Sequence, residues 1–127
     1  MLICYEVIFP GAVVDAANRP QWLVNVTNDA WFGDSIAPHQ HWQMARMRAI
    51  ETGRYMVRST NTGVSGIIAD DGSVAVSAPL FQKTVVQGTV APMRGATPYV
   101  RFGDWPVILG VLGVIACSRA RPGRRCC

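Results

Sequence analysis

Cys4 has a side chain that can act as a nucleophile, and it stands close to the start of the chain. A cysteine attacks as the thiolate, so it needs a base or a nearby positive charge. The apolar residues around it give way to Pro10 and Gly11. This pattern predicts a buried strand that ends near Cys4 and then turns. Backbone N–H groups at such a turn can stabilise an oxyanion. A buried cysteine that only packs is the alternative, and position alone favours packing.

Nearby polar residues offer one candidate partner for this cysteine and one candidate metal site. Glu6 follows two residues later, on the same side of a strand, where it would be an acid–base group, an orienting partner or only a charge at the strand end. His39 and His41 lie at the start of a predicted helix. No cysteine or acidic residue stands at ligand spacing from them, so we expect neither a metal nor a cofactor.

A loop rich in aromatic residues follows the second predicted strand. Asp29 and Asp34 bracket Trp31 and Phe32 within the stretch 28–38, which is dense in turn-forming residues. The aromatic rings either fill a core or line a site. For the two aspartates we predict a loop-capping role, since short acidic side chains commonly hydrogen-bond nearby backbone.

The elements that would position these residues alternate between helical and extended patterns. Helices are predicted over 11–18 and 39–52, and strands over 22–27, 55–59, 64–69, 74–77 and 84–90. In the second helix Trp42, Ala45 and Ala49 share one face. Asp70, Asp71 and Gly72 separate two apolar runs and predict a hairpin. Together these patterns indicate an α/β fold whose sheet carries helices on its faces.

The C-terminal part is apolar and then basic. An uninterrupted apolar run, 105–117, is shorter than the roughly 17–25 residues of a membrane-spanning helix. Four arginines follow it, and their four positive charges account for the whole formal net charge of +4. A nucleic-acid-binding protein normally spreads its basic residues over one face, so nucleic acid is not an expected partner. The arginine flank favours contact with membrane, with the tail on the cytoplasmic side.

Five motifs in order resemble those of one enzyme family. They are I-C-Y-E at 3–6 followed by Phe9 and Pro10, N-D-A-W-F-G at 28–33, Q-M-A-R-M-R-A at 43–49, R-S-T-N-T-G at 58–63 and T-P-Y at 97–99. This set resembles the apolipoprotein N-acyltransferases of the nitrilase, or carbon-nitrogen hydrolase, superfamily. The resemblance extends over essentially the whole chain.

The resemblance implies the C-terminal half of a nitrilase-like α-β-β-α sandwich. Residues 1–98 would form this partial domain, 99–118 a C-terminal apolar, transmembrane helix, and 119–127 a basic tail. Enzymes of the family lie in the bacterial inner membrane with the nitrilase-like domain in the periplasm. They take an acyl chain from a phospholipid as a cysteine thioester and pass it to the N-terminal amine of a diacylglyceryl-apolipoprotein.

The resemblance also implies roles for three residues. Cys4 corresponds to the nucleophile, and Tyr5 and Glu6 to two residues that support the site, with the Tyr5 backbone N–H serving the oxyanion hole. The family's catalytic glutamate and lysine both precede the cysteine by many residues. Here only three residues precede Cys4, and the single lysine, Lys83, follows it. We therefore expect a C-terminal fragment that is inactive alone.

Two other interpretations stay open. The chain would be a fragment of a soluble nitrilase-type amidohydrolase if its apolar tail has no affinity for membrane. It would be a non-enzymatic remnant if it folds only with a partner or not at all.

Overall fold

The computed structural model describes residues 1–17 and 20–120. A five-stranded sheet in the order β1-β2-β3-β4-β5 forms its centre. The strands are β1 (Leu2–Ile3), β2 (Leu23–Thr27), β3 (Met56–Thr60), β4 (Gly66–Ile68) and β5 (Val74–Ser77). The first three strands are parallel, and β4 and β5 are antiparallel to their neighbours. The mixed α/β class predicted from the sequence is confirmed.

The described part of the chain has four α-helices. These are α1 (Pro10–Ala17), α2 (Ala37–Thr52), α3 (Pro98–Phe102) and α4 (Trp105–Ala120). Two short 3-10 turns, Cys4–Ile8 and Ala30–Phe32, follow β1 and β2. The predicted helix 11–18 corresponds to α1 as far as Ala17, and Asn18 lies outside the described residues. The predicted helix 39–52 corresponds to α2, which begins two residues earlier.

The core lies between one face of the sheet and helices α1 and α2. Leu23, Met56 and Ile68 of the sheet are fully buried, and Ala45 and Ala49 of α2 pack against them with Trp42 at the edge. The predicted shared face of this helix is confirmed. Gly53 ends the helix in the left-handed conformation (φ 59°), because a residue without Cβ adopts this conformation at little cost.

The predicted hairpin is present. β4 and β5 pair through the turn at Asp70–Gly72, where the Ala69 N–H donates to the Ser73 carbonyl oxygen (2.9 Å) and Gly72 has φ 80°. The predicted strand 84–90 is wrong, since the described structure has no helix or strand there. Val85 is 82% exposed. Its valine-rich composition favours a strand, but a strand also needs a neighbour that accepts its hydrogen bonds.

The predicted C-terminal helix 99–118 is two helices, not one. Gly103 has φ 54°, and the carbonyl of Asp104 accepts the first hydrogen bonds of α4 from the N–H groups of Val107 and Ile108. This change of direction separates α3 from α4. Helix α4 has 16 residues, and the side chains of its apolar run 105–117 are exposed. Among the described residues, no helix combines the length and the apolarity needed to cross a membrane. Positions 121–127 of the predicted basic tail lie outside the described residues.

Candidate functional site

Cys4 lies where β1 ends and the first 3-10 turn begins. The predicted strand followed by a turn is therefore confirmed, although β1 comprises only Leu2 and Ile3. Cys4 is partly exposed and has φ 51°, one of two non-glycine residues with a positive φ in the described structure. The left-handed conformation crowds Cβ against the backbone, so surrounding contacts must hold a cysteine there. A strained turn directly after a strand is a backbone arrangement that presents a nucleophile to substrate in other enzymes.

The side chain of Asn25, in the middle of β2, contacts this turn directly. Its amide nitrogen lies 3.3 Å from the Leu2 carbonyl oxygen and 3.4 Å from the Cys4 carbonyl oxygen, and it donates to both. Asn25 is fully buried. A buried amide needs partners for both its ends, and these two carbonyls satisfy its donors.

The other end of the Asn25 amide is bound by a buried arginine. Arg58 Nη1 donates to Asn25 Oδ1, and Arg58 Nη2 donates to Asp29 Oδ2 at 3.0 Å. The side chains of Arg58 and Asp29 are both fully buried. Thr27 Oγ1 donates to Asp29 Oδ1 at 3.1 Å. A continuous polar path therefore runs from Asp29 through Arg58 and Asn25 to the Cys4 carbonyl.

Two pKa shifts follow from this arrangement. Burial alone would raise the pKa of Asp29, but the hydrogen bond with His41 and the charge of Arg58 outweigh it and lower that pKa from 3.8. Burial lowers the pKa of Arg58, while its contacts with Asp29 and a weaker interaction with Cys4 oppose the shift. Asp29 is thus held as the carboxylate that the buried guanidinium requires.

His41 joins the cluster to an aromatic group around the cysteine turn. Its Nδ1 lies 3.0 Å from both Asp29 Oδ1 and Arg58 Nη2, and its ring stacks on Tyr5 with centroids 5.3 Å apart. Phe32 meets both rings edge-on. His41 Nε2 is buried and has no hydrogen-bond partner among the described residues. These three aromatic residues, with Ile8, Ala37, Gln40 and Met44, line a small cavity of about 90 Å³.

Glu6 has a different position from the one predicted. It does not share a strand face with Cys4, because residues 4–8 form a 3-10 turn. Its Oε2 accepts a hydrogen bond from the Ile3 N–H at 2.7 Å. The carboxylate therefore closes the turn that carries Cys4. The described residues contain no group of three or more His, Cys, Asp or Glu side chains arranged to hold a metal ion.

The motifs noted in the sequence meet around Asp29. The Asp29 N–H donates to Asn61 Oδ1 at 3.1 Å, and Asn61 also donates to Asn28 Oδ1 at 2.6 Å. Gly63 lies so close to the Asp29 carboxylate that no side chain fits between them. The loop-capping role predicted for Asp29 is wrong, since its carboxylate is committed to Arg58, His41 and Thr27. Asp34 is exposed.

Sequence reasoning did not select Asn25, His41 or Arg58 for this site. The signal was present for two of them, because Asn25 and Arg58 each stand two positions after a buried apolar residue of the same strand, Leu23 and Met56. A polar residue at such a position must find a buried partner. His41 was considered only as a metal ligand. Lys83 lies in the segment after β5, beside Gln82 and Thr84 at a separate pocket that Cys4 does not line.

Comparison with known proteins places these residues in a family. The family model described as "Carbon-nitrogen hydrolase" matches residues 1–99. The chain is 55% identical over 122 residues to a protein of Methylococcus capsulatus named "Apolipoprotein N-acyltransferase", covering 94% of this chain and 24% of the relative.

Two further relatives carry the same name. The protein of Pseudomonas paraeruginosa is 48% identical over 128 residues, covering 97% of this chain and 25% of the relative. That of Nitrosomonas europaea is 46% identical over 125 residues, again covering 97% of this chain and 25% of the relative. The chain therefore spans about a quarter of the length of these curated relatives.

Proposed function

The chain belongs to the carbon-nitrogen hydrolase family, and from this premise we propose that it is the nucleophile-bearing part of an apolipoprotein N-acyltransferase. In this proposal Cys4 carries the acyl group during transfer. The relatives' shared name supports the reaction class. The observation that carries the assignment to Cys4 is its placement on a left-handed turn at the end of a parallel strand, partly exposed and held by buried polar side chains.

The proposed reaction has two steps. Cys4 Sγ attacks the ester carbonyl carbon of a phospholipid, the S–C bond forms, the C–O bond breaks, and the lysophospholipid leaves as an alcohol that takes up a proton. The N-terminal amine of the diacylglyceryl-apolipoprotein then attacks the thioester carbonyl carbon, the C–N bond forms, the S–C bond breaks, and the leaving thiolate takes up a proton lost by the amine. Each step passes through a tetrahedral oxyanion. We assign the Tyr5 backbone N–H to this oxyanion and Glu6 to the support of the turn.

Cys4 needs a base and a cation near the oxyanion, and we propose that other parts of the protein supply them. In the apolipoprotein N-acyltransferases, which this sequence resembles, these groups are a glutamate and a lysine that precede the cysteine. Lys83 is the single lysine of this sequence, and the pocket it lines does not include Cys4. Loss of general-base help costs about 10²–10⁴-fold, so the chain alone should form no thioester from phospholipid. Detection of such an adduct by mass spectrometry would contradict this part of the proposal.

We further propose that α4 contacts the inner membrane, with the nitrilase-like domain periplasmic and the basic tail cytoplasmic. Leu109 and Val114 of this helix are 62% and 71% exposed, which is unusual for a helix so rich in apolar residues. At about 1.5 Å per residue its described length is about 24 Å, against a hydrocarbon core of about 30 Å. Flotation of the chain with phospholipid vesicles tests the contact, and Leu112→Asp should abolish flotation.

The acyl-transfer proposal is tested most directly in a chimera. Residues 1–99 of this chain would replace the matching stretch of the Methylococcus capsulatus protein. We expect N-acylation of a diacylglyceryl-peptide by the chimera, and its loss in Cys4→Ala. The matched control is a cysteine added at an exposed position far from the site, which should not restore activity to Cys4→Ala. Undiminished N-acylation by Cys4→Ala would remove Cys4 from the mechanism.

Hydrolysis is the second candidate function, and the description of the matching family model favours it. The same thioester would then be attacked by water instead of an amine, releasing a carboxylic acid. Supplying the chimera with acyl donor and no amine acceptor separates the two functions. An acyltransferase should retain the thioester, whereas an amidohydrolase should release free acid over many turnovers.

A further inference from the structure

We propose that Asn25 and Arg58 are positioning residues that hold the Cys4 backbone in its left-handed conformation and thereby orient the thiol and the following N–H for acyl transfer. This inference rests on the proposed function of Cys4 as acyl carrier and adds two residues to it. Neither side chain touches the thiol in the described structure. Asn25 contacts the backbone carbonyl of Cys4, and Arg58 acts on that carbonyl through the Asn25 amide.

The left-handed conformation at Cys4 needs an external cause. A cysteine has a Cβ, and at φ 51° this atom approaches the following backbone more closely than in an ordinary strand or helix. Such a conformation persists where surrounding contacts determine it, and it is frequent at functional turns. Glu6 fixes the start of the turn at the Ile3 N–H. The Cys4 carbonyl, on the other side of the strained residue, is fixed by Asn25.

Asn25 reaches this carbonyl because of the register of the sheet. Leu2 of β1 and Asn25 of β2 are direct partners, so the Asn25 side chain lies beside the last residues of β1. Its amide nitrogen bonds the Leu2 and Cys4 carbonyl oxygens together. The two distances, 3.3 Å and 3.4 Å, are slightly longer than the usual N–H···O distance, so both hydrogen bonds are weak. The orientation of the amide therefore depends on what holds its other end.

Arg58 supplies that fixed point. It is the register partner of Asn25 on β3, and its guanidinium donates to Asn25 Oδ1. The Asn25 atom in this contact must be the amide oxygen, because a guanidinium only donates hydrogen bonds and the amide nitrogen is also a donor. Arg58 therefore determines which end of the amide faces Cys4. Arg58 is itself held by Asp29 at 3.0 Å, and the planar fork of its donors fixes both directions at once.

The test separates two reactions of the same thiol. Alkylation of Cys4 by iodoacetamide proceeds without an oxyanion, whereas acetylation by p-nitrophenyl acetate passes through one and releases p-nitrophenolate. Both reactions need the thiolate, so a change in the fraction of thiolate alters both rates equally and leaves their ratio unchanged. The full 127-residue chain is reacted and then digested, and mass spectrometry of the peptides gives both rates at Cys4, with the exposed Cys117 as internal reference. NMR coupling constants and carbon shifts report the φ of Cys4 independently.

We expect Asn25→Ala and Arg58→Lys to lower the acetylation-to-alkylation ratio at Cys4 by about tenfold or more, because small misplacements of reacting groups cost up to about 10²-fold. The positive φ should be lost in both. Asn25→Asp keeps the shape of the side chain and the oxygen that accepts from Arg58, but it loses the donor to the Cys4 carbonyl. It replaces Asn25→Ala in the test if that variant does not fold. Arg54→Lys is the matched control, since Arg54 is also buried and its hydrogen bonds in the described structure go to the carbonyls of Pro20, Gly53 and Gly95.

An unchanged ratio and an unchanged φ in folded Asn25 and Arg58 variants would overturn the inference. So would an equal fall in Arg54→Lys, which would indicate a general effect of stability. A wild-type chain that is alkylated but never acetylated at Cys4 would count against the acyl-carrier function instead. The φ measurement would then still decide whether Asn25 and Arg58 hold the turn.

Discussion

Asn25 and Arg58 are direct partners across the parallel pair β2–β3, and the Arg58 guanidinium donates to the Asn25 amide oxygen within the core. A charged group in this position costs much desolvation free energy unless it is paired. Asp29 provides the opposite charge at 3.0 Å. A buried ion pair therefore holds the residues that contact the cysteine turn, and the stability of the fold depends on the same residues.

Removal of Asp29 should strongly destabilise the fold. Asp29→Ala leaves the Arg58 guanidinium buried without its carboxylate, and breaking a buried pair in this way costs about 3–5 kcal/mol. Urea denaturation followed by circular dichroism measures the loss. Asp34→Ala is the control, because Asp34 is exposed and surface substitutions usually change stability by less than about 0.5 kcal/mol. Equal effects of the two substitutions would contradict the buried-pair account.

The same carboxylate should make stability depend on pH at the acid end. The pKa of Asp29 is lower in the folded chain than its ordinary value of 3.8. The unfolded chain therefore binds the proton more readily, and stability is fully present above pH 3.8 and falls as the pH drops through the lowered folded pKa. Unfolding free energies measured from pH 7 to pH 2 should fall less steeply in Asp29→Asn. A slope identical to wild type would show that other groups cause acid unfolding.

The left-handed conformation of Cys4 predicts an unusual order of stabilities. Glycine normally destabilises a regular element relative to alanine by about 0.5–1 kcal/mol. At φ 51° the order should reverse, because only alanine has a Cβ to crowd the backbone. Cys4→Gly should be more stable than Cys4→Ala by about 1 kcal/mol in urea denaturation. Ala12→Gly, in helix α1, should show the ordinary loss. If Cys4→Ala has the higher unfolding free energy, Cys4 is not held in a strained left-handed conformation.

The elements of the fold were more predictable than its site. The periodicity of Trp42, Ala45 and Ala49 predicted the buried face of α2, and the D-D-G sequence predicted the β4–β5 hairpin. Both signals are local, since they lie within one helix or one turn. The segment 84–90 shows the limit of local reasoning. Its composition suits a strand, but in the described structure the segment pairs with neither edge of the sheet.

The polar site depends on contacts that no local pattern contains. Arg58 meets Asn25 across 33 positions and Asp29 across 29, through a register that only the assembled sheet defines. The positive φ of Cys4 has no signal in the sequence either, because glycine is the residue that usually indicates it. The resemblance to a family indicated Cys4 and the surrounding motifs. It could not indicate which of their side chains bind one another.

Gly63→Ala should damage the site from a distance along the chain. A Cβ at Gly63 would overlap the Asp29 carboxylate Oδ2 and lie 2.9 Å from both Asp29 Cβ and Cγ. Asp29 cannot retreat easily, since its carboxylate oxygens are bound by Arg58, His41 and Thr27. We expect a loss of about 1–3 kcal/mol, typical of overpacking, in thermal or urea unfolding. Gly11→Ala is the control, because a Cβ there meets nothing within 4 Å. The clash displaces the carboxylate that anchors Arg58, so Gly63→Ala should also lower the acetylation-to-alkylation ratio at Cys4. Gly11→Ala should leave this ratio unchanged. A stability loss in Gly63→Ala with an unaltered ratio would show that Asp29 supports the fold without transmitting order to Cys4.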